Sequence, residues 1–192
     1  MTLSRTRFRR GRFSLWFVAE LLRGIYMNSA KVNVLFVSRR NTIRSVIAQS
    51  CLAHLSKGRF NAYSCGVPNE VLTGLNSVAS ETLDKAGLSA AQENCVGWEK
   101  FTRNNSPRMH WVIVLDKDVK RMEPDWPGQP ESALWDYPDI LVAGKDAESA
   151  HVQASKLLIS LYGRIEILTN LPLKTGDRSA LRSDVRDLGY SG

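Results

Sequence analysis

Apolar runs that alternate with amphipathic stretches dominate the chain from residue 31 onward. Val32–Val37 is continuously apolar apart from one asparagine and rich in β-branched residues, which predicts a strand buried on both faces. From Ser45 to Leu55, apolar residues recur at helical spacing, so an amphipathic helix is predicted directly after a tight loop. Strand-like runs that alternate with helical patterns favour an α/β domain with a parallel sheet.

The same patterns predict the remaining elements. Further strands are predicted at residues 60–64, 111–115 and 140–142, and further helices at residues 75–86, 147–168 and 179–188. Residues 122–139 contain four prolines and are predicted to form a long irregular loop between the third and fourth strands. Because ligands bind beyond the carboxyl ends of parallel strands, this loop is expected to cover a site there.

Composition indicates a soluble globular protein without a bound metal or cofactor. The 192 residues are 43% apolar and 23% charged, which is typical of one globular domain. Neither the cysteines (Cys51, Cys65 and Cys95) nor the histidines show metal-ligand spacing, and no nucleotide-binding fingerprint is present. Isolated thiols are typical of a reducing compartment, so we expect a cytoplasmic protein.

The positive charge is concentrated at the amino terminus. Residues 1–26 carry six arginines and one glutamate, a net of +5, which leaves only +2 of the total +7 for residues 27–192. The body of the protein is therefore not expected to bind nucleic acid. The apolar run at residues 13–22 is too short to span a bilayer. We interpret residues 1–26 as a basic extension, either a membrane-surface helix or, as favoured, a start-site artefact, and residues 27–192 as the domain.

The loop after the first strand carries the candidate chemistry. A strand, a tight loop and a helix N-terminus together present backbone N–H groups to an anion. Arg44 adds a planar donor pair, Asn41 tolerates a left-handed backbone, and Ser45 is placed to hydrogen-bond the side chain at position 38. A phosphate-sized pocket is therefore predicted. Its oxyanion-binding residues are Arg39, Arg40, Asn41, Thr42, Ile43, Arg44 and Ser45.

This loop, VLFVSRRNTIRS, resembles that of the low-molecular-weight protein tyrosine phosphatases, including their arsenate reductase branch. In that family a cysteine, five residues, an arginine and a serine follow the first strand. The resemblance continues through FNAYSCGV, GWEKF, DWPGQPESALWDYPD and IEILTNLPLKTGDRSALRSDVRDLG, and it covers residues 31–189. It implies a three-layer, flavodoxin-like α/β fold with four parallel strands, flanking helices and no cofactor.

The resemblance also implies residue roles. The family's cysteine attacks phosphorus, its arginine stabilises the transferring phosphoryl group, and an aspartate on a late loop protonates the leaving oxygen. By position, Ser38 replaces the cysteine, Arg44 is the oxyanion ligand and Asp139 is the general acid. Asp136 is the alternative acid, and both aspartates could instead be ordinary turn residues.

The chain departs from this family at two loop positions. The Ser38 hydroxyl is far less acidic than a thiol, and the loop contains no histidine or lysine to act as its base, so we predict oxyanion binding with little or no turnover. Arg40 stands where small residues or histidine are usual. Arg39 and Arg40 could strengthen anion capture, one of them could fill the pocket, or both could be solvated and without effect. Arsenate reduction is not expected, because residues 112–123 lack the further cysteines of the resembling reductases.

Three functions remain open on the sequence. The leading interpretation is a phosphatase-like protein that binds phosphate, a phosphorylated protein or a phosphorylated small molecule. The first alternative is an active phosphotyrosine hydrolase. The second is a non-catalytic interaction domain with a vestigial pocket, whose contact residues would be the aromatics Trp126, Trp135 and Tyr137 if they are exposed.

The serine at position 38 also admits an artificial origin. Exchanging cysteine for serine is an obvious way to trap a substrate complex. Arg40 and Ile43, which such a strategy does not require, favour natural divergence. The sequence leaves the oligomeric state open.

Overall fold

A computed structural model describes residues 31–91, 94–140, 146–171 and 178–190. The strands are β1 (Val32–Val37), β2 (Phe60–Cys65), β3 (Trp111–Val114) and β4 (Glu131–Leu134). The helices are α1 (Arg44–Leu55), α2 (Ser77–Lys85), α3 (Lys117–Arg121), α4 (Ala147–Asn170) and α5 (Arg178–Asp187), with one turn of 3₁₀-helix at Trp98–Lys100. The extension at residues 1–26 lies outside the described residues, so its interpretation stays a prediction.

The four strands form one parallel sheet in the order β2-β1-β3-β4. β1 is central, and its last residue, Val37, pairs with Cys65 on one side and Val114 on the other. Alternate residues of β1 enter different cores, since Phe36 belongs to the apolar cluster that includes α1, α2 and α4, whereas Leu35 belongs to a second cluster. The predicted three-layer arrangement of a parallel sheet with flanking helices is therefore confirmed.

The position predicted for the fourth strand is wrong. The strand is Glu131–Leu134, inside the segment predicted as an irregular loop, whereas Ile140 lies in a turn and residues 141–145 are outside the described residues. β4 is an edge strand, and in its sequence, ESAL, only Ala133 is buried. Such a short, half-exposed strand lacks the apolar run that identified β1 and β3.

The exposed contact surface proposed for Trp126, Trp135 and Tyr137 is also wrong, since the two tryptophans are buried and Tyr137 is partly buried against the core. Trp135 is fully buried, packs against Phe36 and donates its indole N–H to the Val185 carbonyl at 3.0 Å. Trp126 is 9% exposed and donates to a Glu123 carboxylate oxygen. These side chains bury a large apolar area and still satisfy their N–H groups, so they fix the segment to the core.

Helix α3 was not predicted from the sequence. It begins shortly after β3 with Asp116 as its N-cap, and the Asp116 carboxylate accepts hydrogen bonds from two backbone N–H groups.

Among the described residues, no helix combines the length and the apolar character needed to cross a membrane.

Candidate functional site

The loop from Ser38 to Ile43 lies at the carboxyl end of the central strand. The backbone attaches it to the neighbouring strand, because the Ser38 N–H donates to the Cys65 carbonyl at 3.1 Å and the Val67 N–H donates to the Arg39 carbonyl at 2.9 Å. Ser38 is 2% exposed. The loop is therefore held in place before any ligand binds.

Asn41 is the internal support of this loop. It has a φ of +54°, the left-handed backbone that the sequence predicted, and its side chain is fully buried. Its amide oxygen lies 2.8 Å from Ser45 Oγ and 2.9 Å from Ser64 Oγ, and its Nδ2 donates to the Val96 carbonyl at 3.3 Å. The loop conformation thus depends on an amide side chain fixed by three different segments.

Ser38 belongs to the same hydrogen-bonded chain. Its Oγ lies 2.8 Å from Ser45 Oγ, as the sequence predicted, and the Ser45 hydroxyl donates in turn to the Asn41 amide oxygen. A hydroxyl has one proton, so when Ser45 donates to Asn41 the Ser38 hydroxyl must donate to Ser45. The chain that starts at Ser38 therefore ends on an amide oxygen, which is not a base.

The backbone of the loop offers several donors without acceptors. Within the described part of the chain, nothing accepts a hydrogen bond from the backbone N–H groups of residues 39–45. Helix α1 starts there with Ile43 as its N-cap, and neither a side-chain cap nor an acidic residue in the first turn compensates its positive end. Consecutive N–H groups at a helix N-terminus are a suitable receptor for an oxyanion.

Arg44 is buried and already engaged by protein groups. One terminal nitrogen, Nη1, donates to the carbonyls of Tyr137 at 2.7 Å and Leu115 at 3.3 Å, and Nη2 donates to Asp116 Oδ2 at 3.0 Å. Burial tends to raise the pKa of the Asp116 carboxyl, but the Val119 N–H and the Arg44 guanidinium outweigh it, so the pKa lies below its ordinary value. Asp116 therefore stays ionised and holds Arg44 at the loop.

Arg40 reaches across the site to the candidate acid. Its Nη1 lies 2.8 Å from Asp139 Oδ2, and the same oxygen is 3.8 Å from Arg44 Nη2. The cavity between the loop and this ion pair has a volume of about 10 Å³, which is roughly the space that one water molecule requires. The lining residues are Ser38, Arg40, Thr42, Ile43, Arg44, Asp139 and Ile140.

The two candidate acids occupy different places. Asp139 lines the cavity, with 29% of its side chain exposed. Asp136 does not line it, because its carboxylate accepts the Lys117 backbone N–H at 3.1 Å and thus supports the start of α3. The geometry brings only Asp139 together with Ser38 and Arg44.

Four polar residues that support the site were missed on the sequence. Glu70 pairs with Arg39 at 3.1 Å, and Asp116 pairs with Arg44. Ser64 Oγ lies 2.7 Å from the Gln49 side-chain oxygen, and Gln49 donates to the carbonyl of Ala62, which extends the Asn41 network into β2. Only Asp116 gave a usable signal, as an acidic residue directly after a buried strand.

None of the cysteines is placed for thiol chemistry at this cavity. The three cysteines are free and none lines the cavity. Burial raises the pKa of Cys51 to about 12, and burial also raises the pKa of Cys65 and Cys95. Among the described residues, no group of three histidine, cysteine, aspartate or glutamate side chains is arranged to hold a metal ion.

Gly66 is required where the loop approaches β2. A Cβ atom at this position would lie 2.9 Å from the Arg39 carbonyl oxygen and 3.1 Å from the Arg40 carbonyl carbon, both backbone atoms. We expect Gly66→Ala to lower the free energy of unfolding by about 1–3 kcal/mol, because the backbone must shift to relieve the overlap. Urea denaturation measures this loss.

Gly163→Ala is the matched control for that substitution. Gly163 lies in the interior of α4, and among the described residues nothing beyond the adjoining helix backbone lies within 4 Å of a Cβ placed there. The exchange is expected to raise the free energy of unfolding by up to about 1 kcal/mol through helix propensity. Equal urea midpoints for Gly66→Ala and the wild type would show that the loop does not need this close approach.

Comparison with known proteins gives a structural likeness and no sequence match. No model of a protein family matches the chain, and no curated protein matches it either. An arsenate reductase from Archaeoglobus fulgidus has a similar structure, with 22% identity and a TM-score of 0.55 over 72% of this chain and 99% of the reductase.

A tyrosine phosphatase, Wzb from Escherichia coli K30 in complex with sulphate, is similar over 71% of this chain and 97% of its own, at 19% identity and a TM-score of 0.55. Wzb from Vibrio vulnificus in complex with benzylphosphonate is similar over 70% of this chain and 96% of its own, at 17% identity and a TM-score of 0.55. At these identities the likeness shows the fold alone. The chain has the flavodoxin-like fold of these phosphatases and reductases.

Proposed function

We propose that this chain binds a phosphoryl group in the loop at residues 38–45 and does not hydrolyse it at a significant rate. The observation that carries the proposal is the chain of hydrogen bonds from Ser38 through Ser45 to the Asn41 amide oxygen. These hydrogen bonds hold the loop in a conformation that can receive an oxyanion. They offer no base to Ser38, which occupies the position of the nucleophile. The chain is then a phosphatase-like binding protein.

Binding is supported by donors that do not depend on the nucleophile. The N–H groups of residues 39–45 and the positive end of α1 are available to an anion. Two structures with the same fold were solved with sulphate and with benzylphosphonate, which are tetrahedral oxyanions of the proposed kind. The phosphorylated ligand could be a protein or a small molecule, since the loop would hold only the phosphoryl group.

Loss of turnover follows from the chemistry of the hydroxyl. A serine attacks phosphorus at a useful rate only when an adjacent base removes its proton. Among the described residues, the cavity lining contains no histidine or lysine, and the one carboxylate there, Asp139, is paired with Arg40. We therefore expect the role of Asp139 as a general acid to stay unused in the natural chain.

An interaction domain with a vestigial pocket is the second candidate. It is favoured by one observation, the small volume left between the loop and the Arg40–Asp139 pair. The reductase chemistry of some structural neighbours finds less support here, because the buried thiols of Cys51 and Cys65 have raised pKa values and do not line the cavity.

Calorimetric titration with phenylphosphonate, which cannot be hydrolysed, tests the proposed function. We expect saturable binding at one site, weakened about tenfold or more by Arg44→Lys because the planar donor pair is lost. Phosphate release from phenyl phosphate by the unaltered chain should stay at the level of the buffer.

Arg121→Lys is the control, because Arg121 forms an exposed ion pair with Asp118 at 3.2 Å outside the cavity lining. Binding that is absent, or that Arg44→Lys and Arg121→Lys change equally, would refute the proposal. Turnover clearly above the buffer would favour the active hydrolase instead.

A further inference from the structure

Arg39, Arg40 and Arg44 each form an ion pair with a carboxylate, and the three pairs differ in how deeply they are buried. The Arg44 and Asp116 side chains are 6% and 11% exposed. The Arg39 and Glu70 side chains are 27% and 38% exposed, and neither residue lines the cavity. The remaining pair, formed by Arg40, lines the cavity and is half-buried.

Arg44 alone offers little to a bound phosphoryl group. Its hydrogen bonds to Leu115, Tyr137 and Asp116 use three of the five guanidinium N–H groups. At most two N–H groups, that of Nε and one on Nη2, therefore remain for the oxygens of a phosphoryl group. A second cation at the cavity would supply the missing donors.

Arg40 is that second cation, and it already holds an anion. The Asp139 carboxylate oxygen is 2.8 Å from Arg40 Nη1 and 3.8 Å from Arg44 Nη2, so it lies between the two guanidinium groups at the cavity. The side chains of Arg40 and Asp139 are 36% and 29% exposed. Water therefore reaches both partners and weakens the pair, and each side chain can turn further into solvent without leaving a charge buried and unpaired.

We propose that Arg40 is a ligand-binding residue that exchanges Asp139 for the phosphoryl group, and that the Asp139 carboxylate is an internal competitor for the site. This inference rests on the proposed function. Before binding, the carboxylate satisfies Arg40 and keeps the cavity small. On binding, the phosphoryl oxygens take the place of the carboxylate oxygen against Arg40, and Asp139 moves outward.

The exchange indicates the chemical class of ligand. A dianion brings more charge to the two guanidinium groups than the single charge of the carboxylate it displaces. A monoanion replaces one charge with one charge and gains nothing from Arg40. Phosphomonoesters and phosphonates in their dianionic form are therefore expected to bind, and phosphodiesters are not.

Four variants titrated with phenylphosphonate test the exchange, at a pH at which this probe is a dianion. Asp139→Asn is expected to tighten binding about fivefold or more, because the competitor is removed. Arg40→Ala is expected to weaken binding about tenfold, because a charged donor is lost. Asp118→Asn and Arg121→Ala change the same charges in an exposed pair elsewhere and should alter affinity less than about twofold.

The sign of the Arg40→Ala effect separates the exchange from simple blockage. Tighter binding by Arg40→Ala would show that Arg40 only fills the cavity, and Asp139→Asn affinity equal to the wild type would show that the carboxylate does not compete. Either result overturns the inference while leaving the proposed function intact. If neither the wild type nor any variant binds phenylphosphonate, the proposed function itself fails.

Two further arms complete the experiment. Arg40→Gln replaces Arg40→Ala should the smaller side chain prevent folding, and it must weaken binding in the same direction. The methyl ester of phenylphosphonate, a monoanion, should bind the wild type at least about tenfold more weakly than the dianion. Equal affinity for the two probes would contradict the assignment of the ligand class.

Discussion

Ser38→Cys is expected to convert the chain into a measurable phosphatase, with turnover of phenyl phosphate raised by about 10³-fold or more over the natural chain. The surroundings of residue 38 can stabilise an anion at the end of its side chain. The residue lies beside the N-terminus of α1, and the Ser45 hydroxyl, 2.8 Å away, can turn its proton from Asn41 toward an anion at position 38. Such surroundings ionise a thiol near neutral pH but not a serine hydroxyl.

Asp139 should act in opposite ways on binding and on this restored reaction. Once the phosphoryl group displaces it from Arg40, the carboxyl group moves outward to the rim of the cavity, where it can protonate a leaving oxygen. Adding Asp139→Asn to Ser38→Cys is therefore expected to lower turnover about 100-fold, although the same exchange tightens binding in the natural chain.

Ser50→Cys is the control for the added thiol. Ser50 is 2% exposed on α1 and accepts a hydrogen bond from the Ala91 N–H, away from the residues that line the cavity. This variant should release phosphate at the wild-type rate. If Ser38→Cys is equally inactive, the loop has been remodelled beyond the loss of its nucleophile, and the interaction domain becomes the better interpretation.

Arg44→Met is expected to lower the free energy of unfolding by about 3 kcal/mol, because the buried Asp116 carboxylate loses its nearer cation and keeps the Arg39 guanidinium at 3.9 Å. Urea denaturation measures the loss. Adding Asp116→Asn should recover part of it, since the poorly compensated charge is then removed. Arg121→Met, in an exposed pair, should cost no more than about 0.5 kcal/mol.

The pH dependence of stability follows from the same pair. The pKa of Asp116 is lowered in the folded chain, so its contribution to stability is complete above the pKa of the unfolded chain and is lost as the pH falls through the folded value. In Arg44→Met the pKa of Asp116 rises, and the acid-induced loss from this group should begin at a higher pH. Additive effects of the two substitutions at every pH would contradict the coupling of Arg44 to Asp116.

The sequence predicted the part of the site whose residues lie close together along the chain. The β1 strand, the loop and the start of α1 follow one another along the chain, so their apolar pattern and the Asn41 and Ser45 side chains could be interpreted together. Helices α2, α4 and α5 were also predicted within a few residues, because their apolar positions repeat with a helical period.

The part that was missed depends on contacts between distant segments. Arg40 and Asp139 are 99 positions apart, and the sequence could not decide whether Arg40 would block the pocket or bind the ligand. Arg44 meets Asp116 only because Val37 and Val114 are in register and the two strands end side by side. The edge strand β4 was not predicted, because its extended conformation depends more on pairing with β3 than on its own amino-acid composition.

Phosphate titration of ¹⁵N-labelled protein, followed by two-dimensional NMR of the backbone amides, tests phosphoryl binding without turnover most directly. We expect saturable shifts of the amide resonances of residues 39–45, larger than those elsewhere and reduced in Arg44→Lys. Phenyl phosphate should give the same shifts and stay intact through the experiment. Amides of residues 39–45 that do not respond, or phenyl phosphate that is consumed, would contradict the proposed function.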